Sequence, residues 1–298
     1  MRGKKLMEIN GKTRTCGLIG NPVEHTQSPV IHNTLAQEMG INMTYVPFFV
    51  DGGQLEAAIK GAFGLNLLGM NVTVPYKNDV IVYLDDIDSL AKKIGAVNTL
   101  VRTDKGYKGY NTDITGLLRA MRSDGVSIKD EDVIILGAGG VGRAVTYMCA
   151  ANGARSAYLL NRNATKAEAV AAEVNRELGT GIVMPMALSD YRNLLTGLEN
   201  RYVVIQCTSV GLAPGTDNAV IEDSDFYHYV KYGYDLIYSP WETKFMGLVR
   251  ANGGMAYNGL KMLLYQGIDA FELWNGCKVS DESAGRVYKK LRGKLGQE

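Results

Sequence analysis

The chain is poor in the residues that build metal sites and disulfide frameworks. Among 298 residues there are only three histidines and four cysteines. The cysteines are far apart, without a C-x-x-C spacing: Cys16, Cys149, Cys207 and Cys277. A structural zinc site or a disulfide-stapled fold is therefore not expected, and no metal is assigned. Unpaired cysteines indicate a reducing compartment, the cytoplasm.

Excess charge and long apolar runs are also missing. Lys and Arg total 32 and Asp and Glu total 31, so the formal net charge is +1. A near-neutral chain lacks the basic character of proteins that bind nucleic acids or anionic membranes, and we expect neither partner. No run approaches the roughly 18 apolar residues of a membrane span. The basic N-terminus, residues 1–5, is not followed by the apolar segment of a signal peptide.

What the sequence has instead is an alternation of short apolar runs and segments of helical periodicity. The apolar runs predict strands at residues 15–20, 44–50, 69–74, 96–102, 108–111, 133–136, 157–160, 203–206 and 234–237. Helices are predicted from Ser28, placed as an N-cap before Pro29, at 55–63, after the glycines near 140, and after Gly259. Such alternation indicates α/β layers with mostly parallel sheets, and the length indicates two domains.

The sequence GAGGVG at residues 137–142 matches the G-x-G-x-x-G pattern. It follows a predicted apolar strand and opens a predicted helix, which is the context that indicates a dinucleotide site. Glycines allow a tight turn and let backbone N–H groups approach a pyrophosphate, which the helix N-terminus also attracts. The alternative is an ordinary strand–turn–helix junction. The residues expected to contact the dinucleotide are Gly137, Ala138, Gly139, Gly140, Val141 and Gly142.

The end of the next strand discriminates between NAD and NADP. NAD sites usually carry an Asp or Glu about 20 residues after the glycine loop, bonded to the ribose 2′-OH. Here Asn161 and Arg162 follow Leu160, and Lys166 comes four residues after Arg162. A guanidinium pairs with a 2′-phosphate, which a carboxylate would repel. These residues favour NADP; the alternative is a solvated basic helix start.

Polar residues near predicted strand ends in the first half indicate a second site. Asn71 and Thr73 share one face of a strand by the period of two, and Lys77 follows Pro75, where a helix is predicted to open. Ligands in open α/β sheets lie beyond the carboxyl ends of the strands. These three side chains can therefore converge on one site.

Two more polar residues, Asn98 and Asp113, are candidates for the same site. Asn98 lies in a predicted apolar strand, where an amide needs partners; the alternative is a strand-edge amide. Asp113 precedes a predicted helix and is alternatively an ordinary N-cap. Reducing a ketone requires a hydride on carbon and a proton on oxygen, and a lysine ammonium oriented by a carboxylate can supply the proton. Spacing alone does not decide whether Lys77 and Asp113 meet.

Together these motifs resemble the shikimate dehydrogenase family over about residues 16–274. The shared motifs, in the family's order, are GNP at 20–22, HTQSP at 25–29, NVTVPYK at 71–77, GAVNT at 95–99, GYNTD at 109–113, the glycine loop, NR at 161–162, TSVG at 208–211 and GLKMLLYQG at 259–267. The resemblance implies an α/β fold of two domains with a cleft between them. A split substrate-binding (catalytic) domain is expected at 1–113 plus 259–298, and a Rossmann-type NADP-binding domain at 114–258.

The resemblance also implies roles for individual residues and a reaction. Lys77 and Asp113 match the catalytic pair, and Thr26 and Ser28 match hydroxyls that bind the substrate carboxylate. The positions that match residues binding or lining the substrate ring are Asn71, Thr73, Asn98, Tyr238 and Gln266. Thr208 belongs to a matching cofactor segment, and Gly259 matches a glycine close to the nicotinamide. The implied reaction is NADP-dependent reduction of 3-dehydroshikimate to shikimate, on the route to chorismate and the aromatic amino acids.

Four positions depart from the family's pattern. Thr26 stands where Ser is usual, which narrows the carboxylate pocket, and Gln206 stands where Asn is usual. Asn163 and Lys166 replace the usual Thr and Arg of the phosphate-binding segment, and Lys lacks the planar fork of Arg. NADP remains the expected cofactor, with a less sharply defined discrimination against NAD.

Two alternatives remain open from the sequence. One is the related quinate/shikimate dehydrogenase with NAD preference, against which Arg162 and the absence of an acid after Leu160 argue. The other is a catalytically silent dinucleotide-binding regulator, against which Lys77 and Asp113 argue. The expected partner is a small-molecule substrate, and the chain is expected to be a monomer or a homodimer.

Overall fold

The computed structural model describes residues 8–195 and 201–297. The chain forms two compact units, Met1–Leu117 with Leu263–Glu298, and Leu118–Met262. The sequence placed the changes of domain after residues 113 and 258, shortly before these boundaries. Among the described residues, no helix combines the length and the apolar character needed to cross a bilayer.

The first unit is built on a mixed sheet. Its strands are β1 (Arg14–Gly20), β2 (Met43–Phe49), β3 (Gly69–Val72), β4 (Asp86–Ile87), β5 (Thr99–Arg102) and β6 (Tyr107–Tyr110), in the spatial order β2-β1-β3-β5-β6-β4. Pairing is parallel from β2 to β3 and antiparallel from β3 through β5 to β6. β5 and β6 run antiparallel because a short turn joins them.

The helices of the first unit begin with α1 (Ser28–Met39), α2 (Leu55–Gly64), α3 (Ser89–Ile94) and α4 (Thr112–Ser123), and end with α9 (Leu260–Asn275) and α10 (Asp281–Lys294). The chain passes between the two units within α4 and α9. Apolar side chains from β1, β3 and β5 pack against those of α2, and Ile19, Met70 and Leu100 are almost completely buried. Each such side chain contributes about 1.5–3 kcal/mol to the free energy of folding.

The second unit is a doubly wound parallel sheet. Its strands are β7 (Asp132–Leu136), β8 (Ser156–Asn161), β9 (Val183–Ala187), β10 (Tyr202–Gln206), β11 (Val230–Asp235) and β12 (Met255–Tyr257). The spatial order among the described residues is β9-β8-β7-β10-β11-β12, with all pairs parallel. Numbered within the unit this is 3-2-1-4-5-6, the order of a Rossmann-type fold. The helices are α5 (Gly140–Ala151), α6 (Ala164–Leu178), α7 (Ser224–Tyr227) and α8 (Lys244–Ala251).

Several predicted boundaries were wrong near the site. β3 ends at Val72 rather than at residue 74, and no α-helix opens at Lys77, because the chain turns through 74–78 into a 3-10 helix at Asp79–Tyr83. Asn98 lies just before β5 instead of inside it. β11 begins and ends earlier than the predicted 234–237, because its first residues include half-exposed polar positions that hide the apolar periodicity.

Candidate active site

The segment that follows β3 is fixed by backbone hydrogen bonds. The N–H of Thr73 donates to the carbonyl of Ile19 at 3.0 Å, and the carbonyl of Lys77 accepts from the N–H of Val97 at 2.8 Å. The buried hydroxyl of Tyr76 donates to the carbonyl of Val50 at 2.6 Å. These hydrogen bonds hold a stretch without regular secondary structure in one conformation. They thereby fix the backbone position from which the Lys77 side chain extends.

Lys77 and Asp113 meet in an ion pair. Lys77 Nζ lies 2.7 Å from Asp113 Oδ2, and the side chains are 31% and 21% exposed. Asp113 is in the first turn of α4 but does not cap it, because Asn111 Oδ1 accepts from the N–H of Ile114 at 3.4 Å. The carboxylate of Asp113 is therefore free to bind Lys77. Both side chains of the pair are partly exposed to solvent.

Thr26 and Ser28 lie together at the start of α1. Thr26 Oγ1 accepts from the N–H of Ser28 at 3.3 Å and lies 3.2 Å from Ser28 Oγ. Ser28 is the first helical residue, and Gln27 takes the N-cap position without a side-chain bond, so Ser28 is not the cap that the sequence predicted. Two hydroxyls beside a helix N-terminus suit a carboxylate, because backbone N–H groups and the helix dipole favour an anion there.

Three further predicted ring-binding residues lie in the first unit. Asn71, in β3, and Asn98, before β5, are buried and share hydrogen-bonded partners. Gln266, on α9, donates from Nε2 to the carbonyl of Leu263 at 2.8 Å. The backbone of Gln266 packs against Gly116 of α4, since a Cβ on Gly116 would lie 2.4 Å from the nitrogen of Gln266. The α4 helix that carries Asp113 is thus packed on the α9 helix that carries Gln266.

The glycine loop of the second unit adopts a conformation that needs glycine. Gly137 has a φ of +104°, and a Cβ on Gly142 would lie 1.8 Å from the carbonyl oxygen of Gly137. A Cβ on Gly139 or Gly140 would meet no atom within 4 Å. The loop is therefore closed tightly on its inner side and open in front of the α5 N-terminus, where Val141 is exposed. This arrangement suits a pyrophosphate.

The residues at the end of β8 have different roles from one another. Asn161 Oδ1 accepts from the N–H of Ala138 at 3.1 Å, so Asn161 holds the glycine loop. Arg162 and Lys166 are exposed, and among the described residues neither forms an ion pair. The α6 helix begins at Ala164, after Arg162, so these two cations do not form an i, i+4 pair on one helix. Both nevertheless lie at the α6 N-terminus, where a phosphate is favoured.

The remaining predicted residues lie in loops of the second unit. Thr208 follows β10, and its N–H donates to Gln206 Oε1. Gly259 precedes α9, and its N–H donates to the carbonyl of Ile237 at 2.9 Å. Tyr238 follows β11, is half-buried, and burial raises the pKa of its hydroxyl. Among residues 8–195 and 201–297, no group of His, Cys, Asp or Glu side chains is arranged to hold a metal ion.

Family models match along most of the chain. The shikimate dehydrogenase substrate binding domain matches residues 18–100, shikimate/quinate 5-dehydrogenase matches 119–224, and the shikimate 5′-dehydrogenase C-terminal domain matches 259–283. The shikimate dehydrogenase (NADP(+)) of Desulforamulus reducens is 41% identical over 271 residues, which cover 90% of this chain and 92% of that protein. The chain belongs to the shikimate dehydrogenase family.

Solved structures of shikimate dehydrogenases share the fold. A shikimate dehydrogenase in complex with NADP+ has a TM-score of 0.85 at 35% identity, over 95% of this chain and 97% of that one. The shikimate 5-dehydrogenase of Listeria monocytogenes, in complex with shikimate and NAD, has a TM-score of 0.87 at 29% identity, over 95% and 98% of the two chains. The family and the two-domain α/β fold predicted from the motifs are confirmed.

One buried acid of this chain was not predicted from the sequence. Asp235, at the end of β11, is completely buried and accepts from Thr243 Oγ1 at 2.6 Å, the N–H of Ile237 at 3.0 Å and Gln206 Nε2 at 3.3 Å. Burial raises the pKa of Asp235 from its ordinary value of 3.8 to about 6, although these three donors lower it. The only signal in the sequence was an acid inside a predicted apolar strand.

Proposed function

We propose that the chain is an NADP-dependent shikimate dehydrogenase that reversibly reduces 3-dehydroshikimate to shikimate, in the pathway to chorismate and the aromatic amino acids. The observation that carries the proposal is the 2.7 Å ion pair between Lys77 and Asp113, in a chain of this family. Residues 1–113 with 259–298 would form the substrate-binding domain, and 114–258 the NADP-binding domain.

The substrate is a small cyclic acid, and the first unit has groups for each part of it. The hydroxyls of Thr26 and Ser28, beside the α1 N-terminus, would bind the carboxylate. Ring hydroxyls would bind to polar side chains close to the Lys77–Asp113 pair in sequence or packing, namely Thr73, Asn98 and Gln266. Tyr238, in the loop after β11, matches the tyrosine that lines the substrate site in the family.

Bound NADPH supplies the hydride. The ammonium of Lys77 donates a proton to the C3 carbonyl oxygen as the hydroxyl forms, and in the reverse direction its amine accepts that proton. Asp113 orients Lys77 through their ion pair.

The loop and cations of the second unit fit NADP. The open space before the α5 N-terminus accommodates the pyrophosphate, which the backbone of 137–142 would bind. Arg162 and Lys166 would bind the 2′-phosphate, with Arg162 as the bidentate partner. Thr208 would contact the cofactor from the β10 loop, and Gly259 would let the chain approach the nicotinamide.

The second candidate is a quinate/shikimate dehydrogenase with NAD preference. The family that matches residues 119–224 is named for both shikimate and quinate. Lys166 lacks the planar guanidinium with which an arginine binds a phosphate through two hydrogen bonds.

The four cysteines are unpaired, which supports a reducing, cytoplasmic location for either enzyme.

Steady-state rates with two substrates and two cofactors test the proposal. We expect kcat/KM for shikimate with NADP+ to exceed that of the other three combinations of shikimate or quinate with NADP+ or NAD+. Faster oxidation of quinate with NAD+ would establish the second candidate instead. Binding of NADPH without turnover of either acid would contradict both and favour a catalytically silent binding protein.

A further inference from the structure

Five buried polar side chains form a connected network under the proposed substrate-binding face of the first unit. They come from β2, β3, β5, the segment before β5 and the start of α4, and none is more than 4% exposed. They are Tyr45, Asn71, Asn98, Thr99 and Thr112. Buried polar groups need hydrogen-bonding partners, and here nearly all of the partners are other members of the network.

The amide of Asn71 is occupied by the protein. Its Oδ1 accepts from the hydroxyl of Tyr45 at 2.7 Å, and its Nδ2 donates to Thr99 Oγ1 at 3.0 Å and to the carbonyl of Asn98 at 3.3 Å. A carbonyl only accepts, so this contact fixes which end of the Asn71 amide is nitrogen. Both amide protons are used, and no donor remains for a substrate hydroxyl.

The amide of Asn98 is oriented in the opposite sense. Its Oδ1 accepts from the N–H of Thr112 at 2.7 Å, and the hydroxyls of Thr112 and Thr99 lie at 3.2 and 3.1 Å from the same oxygen. A backbone N–H only donates, so the oxygen must face α4. The Nδ2 of Asn98 has no acceptor among residues 8–195 and 201–297, which leaves two donors for a ligand.

Thr99 connects the two amides and α4. Its Oγ1 accepts from Asn71 Nδ2, donates to Asn98 Oδ1, and lies 2.9 Å from Thr112 Oγ1. Thr112 directly precedes Asp113. One hydroxyl, completely buried, thus links the amide that faces the ligand to the helix turn that carries the catalytic carboxylate.

The network is uncharged. Burial raises the pKa of Tyr45 well above its usual value, so its hydroxyl keeps its proton. His32 stacks on Tyr45 with ring centroids 4.2 Å apart, and burial lowers the pKa of His32 to about 3. Neither ring carries a charge at neutral pH, so the network does not compete electrostatically for the ammonium of Lys77.

We propose that Tyr45, Asn71 and Thr99 are positioning residues of the active site, which act through Asn98. The inference rests on the proposed function. It assigns Asn71 a different task from the ring contact that the family resemblance implied: Asn71 fixes Thr99, and Thr99 fixes the NH2 of Asn98 toward a ring hydroxyl. Tyr45 completes the chain by fixing Asn71.

The test is a double-mutant cycle between Thr99 and Asn98. Thr99→Val keeps the shape of the side chain and removes its hydroxyl, so the buried Nδ2 of Asn71 loses the acceptor Thr99 Oγ1. We expect kcat/KM for shikimate to fall by about 10- to 100-fold. Thr99→Ser keeps the hydroxyl and should stay within about threefold of wild type. KM for NADP+ should be unchanged in both variants.

The background variant is Asn98→Ala. If Thr99 acts through Asn98, Thr99→Val should cause little further loss in kcat/KM there, because the amide it positions is gone. Equal losses in both backgrounds, or a loss that Thr99→Ser shares, would overturn the proposal and leave only a structural role. Tyr45→Phe is the second variant if Thr99→Val does not fold; it should raise KM for shikimate, and an unchanged KM would count against the chain of contacts.

Failure of the proposed function has a separate signature in the same experiment. Wild-type protein that does not turn over shikimate with either cofactor contradicts the function, and with it the inference. Wild-type turnover together with an unaffected Thr99→Val variant contradicts the inference alone. Circular dichroism and a urea unfolding transition show whether each variant is folded.

Discussion

The two units differ in how they keep polar groups inside. In the first unit the buried network consists of uncharged amides and hydroxyls around Thr99, and the Lys77–Asp113 ion pair of the proposed site is partly exposed to solvent. In the second unit the buried network is centred on a carboxylate, Asp235, which holds Gln206 at the end of β10 and Thr243 before α8. Both networks lie next to loops that carry proposed site residues.

The difference predicts different responses to pH and mutation. An uncharged network keeps its hydrogen bonds across the physiological pH range, so the geometry of the first unit should not titrate. A buried carboxylate with a raised pKa costs free energy when it ionises, so the second unit should lose stability as pH rises through that pKa. The following variants test this comparison, from the largest expected effect to the smallest.

Lys77→Met should have the largest effect, and it should be confined to the chemical step. Loss of a positioned acid–base group typically lowers turnover by about 10²–10⁴-fold. The dissociation constant for NADP+ should change less than about threefold, because the proposed cofactor groups are in the second unit. Steady-state kcat and equilibrium fluorescence titration with NADPH measure the two effects.

A matched control for Lys77 exists in the same unit. Lys108 pairs with Asp86 at 2.7 Å, and its side chain has the same 31% exposure as that of Lys77. Lys108→Met removes an equal charge and an ion pair with a more exposed partner, Asp86, that is not a proposed site residue, so kcat should stay near wild type. A comparable fall in kcat in both variants would mean that general charge loss, and not catalysis, explains the first result.

The parts of this site that depend on residues near one another in the chain could be predicted from the sequence. The glycine loop could be predicted because a strand, a glycine pattern and a helix follow one another within residues 133–151. The positions of Thr73 and Asn98 relative to their strands could not, because they depend on bonds to Ile19 and Tyr110 that are distant in the chain. The hydrogen bonds of Tyr45, Thr99 and Asp235 could not be predicted from the sequence for the same reason, because each joins side chains from different elements.

Asp235→Asn should change how stability depends on pH. The pKa of Asp235 is raised to about 6, so the folded state binds its proton more tightly than the unfolded state. The tighter proton binding stabilises the folded state, and this stabilisation is fully present below about pH 4 and is lost as pH rises through about 6. One pKa unit corresponds to about 1.4 kcal/mol, so the loss amounts to roughly 3 kcal/mol.

An asparagine does not titrate, and its Nδ2 can donate to Thr243 Oγ1 where the carboxylate accepted. We therefore expect the free energy of unfolding of the variant, relative to wild type, to increase by up to about 3 kcal/mol between pH 4 and pH 7. Urea unfolding at a series of pH values measures this difference. A difference that does not vary with pH would show that Asp235 keeps an ordinary pKa.

Asp132→Asn is the opposite control in the same unit. The hydrogen bond from Arg155 lowers the pKa of Asp132, so its carboxylate contributes stability above its unfolded pKa, and that contribution is lost as pH falls. The variant should therefore lose stability relative to wild type as pH rises from about 3 to 5, the reverse of the trend for Asp235→Asn. Parallel trends in the two variants would point to a global charge effect.

Arg162→Ala should have a smaller and more selective effect, on the choice of cofactor. Charged hydrogen bonds contribute about 1.5–3 kcal/mol, so we expect the dissociation constant for NADP+ to rise by about 30-fold while that for NAD+ changes little, because only NADP+ carries the 2′-phosphate. Arg176→Ala removes the same charge from the last turn of α6 and should leave both constants near wild type. If Arg162→Ala weakened the binding of NADP+ and NAD+ equally, Arg162 would contact a part that the two dinucleotides share. The residues at the end of β8 would then not account for a preference for NADP.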